Sequence, residues 1–188
     1  FGIGKEDLLP LWVADMDFKT PQFILDAITE RMRHPVLGYS IRSETWYQSI
    51  INWQAKRHQW NIEKDWIQFS PGVVPGLVLS ILGLTKPGDE IIVQPPVYFP
   101  FFSSVEENHR KRIDNNLVLK GDRYSFDLDD FAEKAKTAKM FLLSNPANPT
   151  STCWTKEELE AIGNICVENK VIIVSDEIHS DLIFKAHK

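Results

Sequence analysis

The sequence predicts an α/β fold, a mostly parallel sheet with helices on both faces, and two features carry that expectation. Three short apolar runs, Ile91-Ile92-Val93, Met140-Phe141-Leu142-Leu143 and Val171-Ile172-Ile173-Val174, have the continuous hydrophobicity of strands buried on both faces. Between the last two, residues 155–168 are patterned as a helix behind a Thr155-Lys156-Glu157-Glu158 capping box. Strand, helix, strand at this spacing is a βαβ unit, whose crossover lays a helix over the sheet.

The remaining elements follow in chain order. Thr20-Pro21 opens a helix carrying Phe23, Ile24, Ala27, Ile28 and Met32, with Pro21 suited to its first turn and His34-Pro35 closing it. A second amphipathic helix is expected over residues 44–60, with Trp46, Ile50, Trp53 and Arg57 at helical spacing. Ile67-Gln68-Phe69 reads as a short strand running into Ser70-Pro71-Gly72, and a helix follows from about Pro75 to Leu84. Lys86-Pro87-Gly88-Asp89 is a turn by composition. Strands are then expected over residues 90–94, 140–144 and 171–175.

Composition narrows the class of function. The 188 residues, 43% hydrophobic and 25% charged, are ample for one domain and few for two. A net charge of -5, with both signs mixed along the chain, argues against a nucleic-acid or anionic-membrane partner. No run of 18 apolar residues is present to span a membrane. Cys153 and Cys166 make neither a disulfide framework nor a zinc-type spacing, so a cytoplasmic setting and no metal site are expected. The chain opens on Phe1-Gly2-Ile3-Gly4 and ends on Phe184-Lys185-Ala186-His187-Lys188 with no closing element. Both ends are expected to be cuts through a longer chain.

Ligands of such sheets gather at the carboxyl ends of the strands. Four polar exits stand there: Ser70-Pro71-Gly72, Pro95-Pro96-Val97-Tyr98, Asn145-Pro146-Ala147-Asn148-Pro149-Thr150 and Asp176-Glu177-Ile178-His179. The junction Gly72-Val73-Val74 offers free backbone N–H groups at a helix start, which suit a phosphate, but it is equally an ordinary βα turn. Tyr98 can stack on a planar ring or simply pack. Asp176 ends a buried strand, where a charge needs a partner; a helix cap or a salt bridge would serve as well as a ligand. Asn148 stands before a proline on a stiff backbone, aiming its amide at a ligand or at loop carbonyls. Together the four exits ask for a planar, phosphorylated ring with a basic nitrogen and an oxygen to be bonded. Pyridoxal 5'-phosphate (PLP) meets that description.

Three sets of segments carry a resemblance. Residues 84–90 (Leu-Thr-Lys-Pro-Gly-Asp-Glu) with Pro95-Pro96-Val97-Tyr98, residues 144–150 (Ser-Asn-Pro-Ala-Asn-Pro-Thr), and residues 175–182 (Ser-Asp-Glu-Ile-His-Ser-Asp-Leu) resemble the class I/II aminotransferase family of fold-type I PLP enzymes. Residues 9–18 (Leu-Pro-Leu-Trp-Val-Ala-Asp-Met-Asp-Phe) and 70–76 (Ser-Pro-Gly-Val-Val-Pro-Gly) are similar to its MalY/PatB-type cystathionine β-lyase branch. The resemblance runs through essentially the whole chain, in order. It implies a partial PLP-binding large domain over residues 38–188, preceded by an N-terminal segment, residues 1–37, that belongs with the small domain.

The resemblance also implies roles. Asp176 faces the pyridine nitrogen and keeps it protonated. Asn148 and His179 bond the ring oxygen, and Tyr98 stacks on the ring. Gly72, Val73 and Val74 form the phosphate cup, and Tyr39 reaches the phosphate of a neighbouring subunit, which implies a homodimer. Ala14 and Asp15 lie in the stretch that contacts substrate. Two departures stand out. Ser151 occupies a position where relatives carry glycine. The Schiff-base lysine, which relatives carry roughly thirty-five residues beyond the aspartate, is absent, and neither Lys185 nor Lys188 has its sequence context.

The function implied is a PLP-dependent C–S β-lyase acting on cystathionine or related L-cysteine S-conjugates, giving a thiol, pyruvate and ammonia. The 188 residues alone are expected to be inactive. An aminotransferase would use the same residues, and a non-catalytic regulatory or interaction module would need none of the missing groups. A nucleotide-binding Rossmann domain is weaker, because no Gly-x-Gly-x-x-Gly follows any strand.

Overall fold

The computed structural model describes residues 16–184. The chain divides into two compact units, with the boundary between Ser49 and Ile50.

In the first unit, α1 runs Gln22–Met32. Pro21 is its N-cap, with extended backbone, rather than a first-turn residue. Arg33 caps the other end before Pro35 forbids continuation. No residue of α1 is buried. Helix α2, Glu44–His58, begins here, and its residues from Ile50 onward belong to the second unit.

The second unit is the α/β body. After a 3-10 turn at Lys64–Trp66 come α3 (Val73–Leu84), β1 (Glu90–Val93), α4 (Pro100–Glu106) and β2 (Lys111–Asp114). A hairpin of β3 (Val118–Lys120) and β4 (Arg123–Ser125) precedes α5 (Leu128–Ala135), β5 (Met140–Ser144), α6 (Lys156–Asn169) and β6 (Ile172–Asp176). The main sheet has the order β2-β1-β5-β6, and every pairing in it is parallel.

Side chains alternate across this sheet and split the core in two. Ile91, Val93, Met140 and Leu142 face α3 and α4, packing on Leu77, Ile81, Phe101 and Val105. Ile92, Phe141 and Leu143 face the other way, onto Phe131 and Ala135 of α5 and Ile162 and Cys166 of α6. Strands β1 and β5 are therefore covered on both faces, as their apolar runs require, whereas the edge strand β6, expected to be buried likewise, leaves Ile172 and Ile173 part exposed because no further strand flanks it among the described residues. Each fully buried Phe or Ile contributes about 1.5–3 kcal/mol. Phe131 and Phe141 also meet edge-on, 4.9 Å apart.

Local signals explain the boundaries. The Thr155 hydroxyl accepts from the Glu158 N–H, and the Glu158 carboxylate accepts from the Thr155 N–H, closing the predicted capping box. Glu158 also takes both guanidinium nitrogens of Arg123, at 2.6 and 2.7 Å, and this contact above all holds its carboxyl below the usual range. Residues 86–89 form a turn closed by Asp89 N–H donating to the Lys86 carbonyl, with Gly88 at φ +87° after Pro87. That is the residue pair a type II turn demands.

Two expectations fail. Residues 67–69 form no strand: they pair with no described strand, and an extended segment without a ladder partner is not a strand. Helix α3 begins at Val73, two residues before Pro75, which the first turn accommodates since it needs no N–H there. Among the described residues, no helix is long and apolar enough to cross a membrane.

Candidate active site

The sheet order locates a crevice. From β1 the chain crosses to β2 on one side, then returns to place β5 and β6 on the other. The winding reverses between β1 and β5, and ligands of open α/β sheets bind outside the carboxyl ends of the strands at such a point. A small cavity lies there, lined by Gln94, Pro96, Val97, Leu142, Ser144 and Trp154.

Helix α3 points its start at the same edge. Its last residue leads through a five-residue turn into the first residue of β1, so the helix runs antiparallel to the strands. Twelve residues at 1.5 Å rise make it about 18 Å long, against about 13 Å for the four residues of β1. Val73 therefore lies beside or just beyond the strands' carboxyl ends. No side chain caps this helix. Ser70 Oγ, placed to do so, donates instead to the Gly72 carbonyl at 2.7 Å. The first intrahelical acceptance is Gly76 N–H to the Gly72 carbonyl, which leaves the N–H groups of Val73 and Val74 at a positive helix end. At the other end, the buried Arg110 guanidinium donates to the carbonyls of Ile81 and Thr85. The C-terminal half of the dipole is satisfied within the protein, and the N-terminal half is left for an anion.

Asp176 is the last residue of β6 and pairs in register with Ser144 of β5. Val174 packs in the α3/α4 half of the core, so by the two-residue period Asp176 points to that same face. The half-buried carboxylate has no cationic partner among the described residues. Oδ1 accepts the Ile178 N–H at 3.1 Å, and Oδ2 has no partner there. This is a local turn bond; the salt bridge that would explain the aspartate structurally is not made.

The loop after β5 folds back on itself. Ala147 N–H donates to the Thr152 carbonyl at 2.8 Å, and the Trp154 indole donates to the Ser144 carbonyl at 2.9 Å. Asn148 N–H donates to Ser144 Oγ at 3.3 Å, while its side-chain amide has no partner among the described residues. Asn145 Oδ1 and Thr150 Oγ1 are buried without hydrogen-bond partners, at a cost of about 1–3 kcal/mol each. Ser151 closes the reversal at φ +54°, the conformation for which glycine is suited. Left-handed backbone costs serine about 1–2 kcal/mol, and the freer unfolded chain of a glycine variant returns part of it. Ser151→Gly should therefore raise stability by about 0.5–1 kcal/mol in denaturant unfolding.

Tyr98 follows β1, part exposed, with its ring 5.2 Å from Phe99 at 61°. His179 lies in the turn after β6, and its ring has no partner among the described residues. Tyr39 belongs to the first unit and is fully exposed. The second unit thus brings Gly72, Val73, Val74, Tyr98, Asn148, Asp176 and His179 to one edge of one sheet. Ala14, Asp15, Lys185 and Lys188 lie outside the described residues. The supporting groups Ser144, Asn145 and Asp181 are not foreseen as site residues; each stands inside a motif, but only the folded loop shows what it bonds.

The family model for "Aminotransferase class I and II" matches residues 6–188. The chain belongs to that family. Among its relatives, cystathionine beta-lyase PatB of Bacillus subtilis is 42% identical over 98% of this chain and 48% of its own length. Cystalysin of Treponema denticola, whose crystal structure contains a pyridoxal 5'-phosphate cofactor, superposes with TM-score 0.94 at 36% identity, covering 100% of this chain and 48% of that one. A PLP-bound C–S lyase of Staphylococcus hominis gives TM-score 0.85 at 35% identity, over 89% and 44%. The chain thus spans about half the length of the relatives it matches.

Proposed function

We propose that the complete protein is a PLP-dependent C–S β-lyase that cleaves cystathionine or a related L-cysteine S-conjugate, with water, to a thiol, pyruvate and ammonia. The observation that carries this is the gathering at one sheet edge of three groups left incompletely satisfied among the described residues: an uncapped helix start, a carboxylate with no cationic partner and a side-chain amide with no partner. The first fits a phosphate, the second a protonated pyridine nitrogen, the third a ring oxygen, and PLP has all three. The orphaned polar atoms of Asn145 and Thr150 mark the same loop as built around something further. The relatives named above support both the cofactor and the reaction.

When bound, PLP supplies an electron sink for the carbon from which a proton is removed. The protein's part is placement and charge. Val73 and Val74 hold the phosphate through backbone N–H groups, and the dipole of α3 favours its charge. Asp176 keeps the ring nitrogen protonated. Asn148 and His179 orient the ring oxygen, and Tyr98 covers one ring face. Residues 1–37 belong with a small domain, Tyr39 serves the phosphate of a second subunit, and the working form is a cytoplasmic homodimer.

The family description equally covers aminotransferases, and one assay separates the two. The purified complete protein should release pyruvate from L-cystathionine without any added 2-oxo acid, and the same preparation should elute as a dimer. Strict dependence on a 2-oxo acid acceptor would move it to the aminotransferases, and an active monomer would remove the role given to Tyr39.

A further inference from the structure

We infer that Asp181 is a positioning residue for the site, the anchor by which α2 holds the turn carrying Asp176 and His179. This rests on the roles proposed for those two residues. Asp181 collects donors from three side chains in the C-terminal half of α2, Trp53 and Arg57 one turn apart on one face and His58 beside them. The Trp53 indole donates to Oδ2 at 2.8 Å, His58 Nε2 lies 3.1 Å from Oδ1, and Arg57 Nε lies 3.5 Å from Oδ1. Arg57 also donates to the Asp181 carbonyl at 3.4 Å. All four residues lie in the second unit.

The chain between the two aspartates has little freedom. At its start, Ile178 N–H is held by the Asp176 carboxylate itself. Ser180 N–H then donates to the Glu177 carbonyl, and Leu182 N–H to the His179 carbonyl, both at 2.9 Å. Residues 177–180 thus form an arc tied to β6 at one end and to α2 at the other, with His179 in the middle. Apart from these turn bonds and a Ser175–Glu177 hydrogen bond, no hydrogen bond or ion pair among the described residues holds the arc.

Magnitudes separate positioning from stability. The Asp181, Arg57 and His58 side chains are 28–39% exposed, and ion pairs at such sites add little to folding. What three contacts to one carboxylate and a fourth to its own main-chain carbonyl do supply is a fixed place for the arc, and misplacement of a ligand-orienting group weakens the bound geometry directly.

The test uses the complete protein, prepared without cofactor and titrated with PLP, following the dissociation constant, the visible absorption maximum of the bound cofactor and the thermal midpoint of the cofactor-free form. Asp181→Ala should weaken PLP by about tenfold, the effect of losing roughly one hydrogen bond to a charged group. It should also move the absorption maximum, while the cofactor-free midpoint stays within about 2 °C. Trp53→Phe should shift the same readouts in the same direction, the double variant should be no worse than Asp181→Ala, and Asp181→Asn, which still accepts from the indole, should restore most of the affinity. Wild-type affinity and spectrum in Asp181→Ala would overturn the inference. So would an affinity loss matched by a fall of many degrees in the cofactor-free midpoint. If Asp176→Asn weakens PLP while Asp181→Ala does not, the positioning role alone fails. If neither weakens it, the reading of the site fails with it.

Discussion

Asp176→Asn in the complete protein should lower turnover by about a thousandfold, roughly 4 kcal/mol of transition-state stabilisation, while leaving the fold intact. The geometry makes asparagine the informative substitution. Among the described residues the Asp176 side chain makes one hydrogen bond, acceptance of the Ile178 N–H, and an asparagine oxygen accepts that bond equally well. Size and turn are kept, and only the negative charge is lost. Since no cation pairs with Asp176 among the described residues, losing the charge costs the protein no salt bridge. On the proposed role of Asp176 the cost falls on bound PLP, whose ring nitrogen would then have no carboxylate to keep it protonated. Unfolding midpoints should move by less than about 1 kcal/mol equivalent, and PLP affinity should fall by about 10- to 100-fold. Asp176→Ala should match the loss of turnover and add a modest loss of stability from the freed Ile178 N–H. Near-normal turnover in Asp176→Asn would remove the aspartate from the chemistry.

How much of this was legible beforehand depends on the range of the interaction involved. Local devices were readable: the Thr155–Glu158 capping box spans three residues, and Pro87-Gly88 writes its turn in two. Buried strands were readable because β1 and β5 are apolar in sequence as well as in place; β6 has the same apolar run but lies at the described sheet edge with Ile172 and Ile173 part exposed. Strand β2, Lys111-Arg112-Ile113-Asp114, has no such run: it is a sheet-edge strand, held by its backbone pairing to β1, and its charged side chains suit an edge. The residues 67–69 show the converse, strand-like composition with no partner to pair. Long-range polar contacts were invisible. Nothing near Asn115 in sequence announces that it is fully buried between Gln94 and Asp130, nor near Asp181 that Trp53, 128 residues away, binds it. The placing of Tyr98, Asn148, Asp176 and His179 was legible because each follows a strand of the sheet, whose exits topology fixes, whereas Gly72, Val73 and Val74 begin a helix behind residues that form no strand. The groups that hold those members in place were not, because their partners are set only when the chain folds.

The phosphate cup makes the second large prediction, and it can be tested although its donors are backbone groups. Val73 is the first residue of α3, where proline is well tolerated because its fixed φ suits a first turn and the missing N–H has no intrahelical partner. The preceding residue, Gly72, is already extended at φ 164° and ψ 169°, the region that a following proline requires. Val73→Pro should therefore fold as the wild type does and delete one donor. If that N–H binds the phosphate, the variant loses a hydrogen bond to a charged group, worth about 1.5–3 kcal/mol, and PLP affinity should fall by about 10- to 100-fold. Val73→Ala removes the same side chain but keeps the N–H, so it should bind PLP within about twofold of wild type, with at most the small packing loss expected of a part-exposed valine. Free inorganic phosphate should compete with PLP for the wild type and compete less for Val73→Pro, which ties the loss to the anion rather than to the ring. Equal PLP affinity in the proline and alanine variants would place the phosphate elsewhere, and with it the whole orientation of the ring against Asp176.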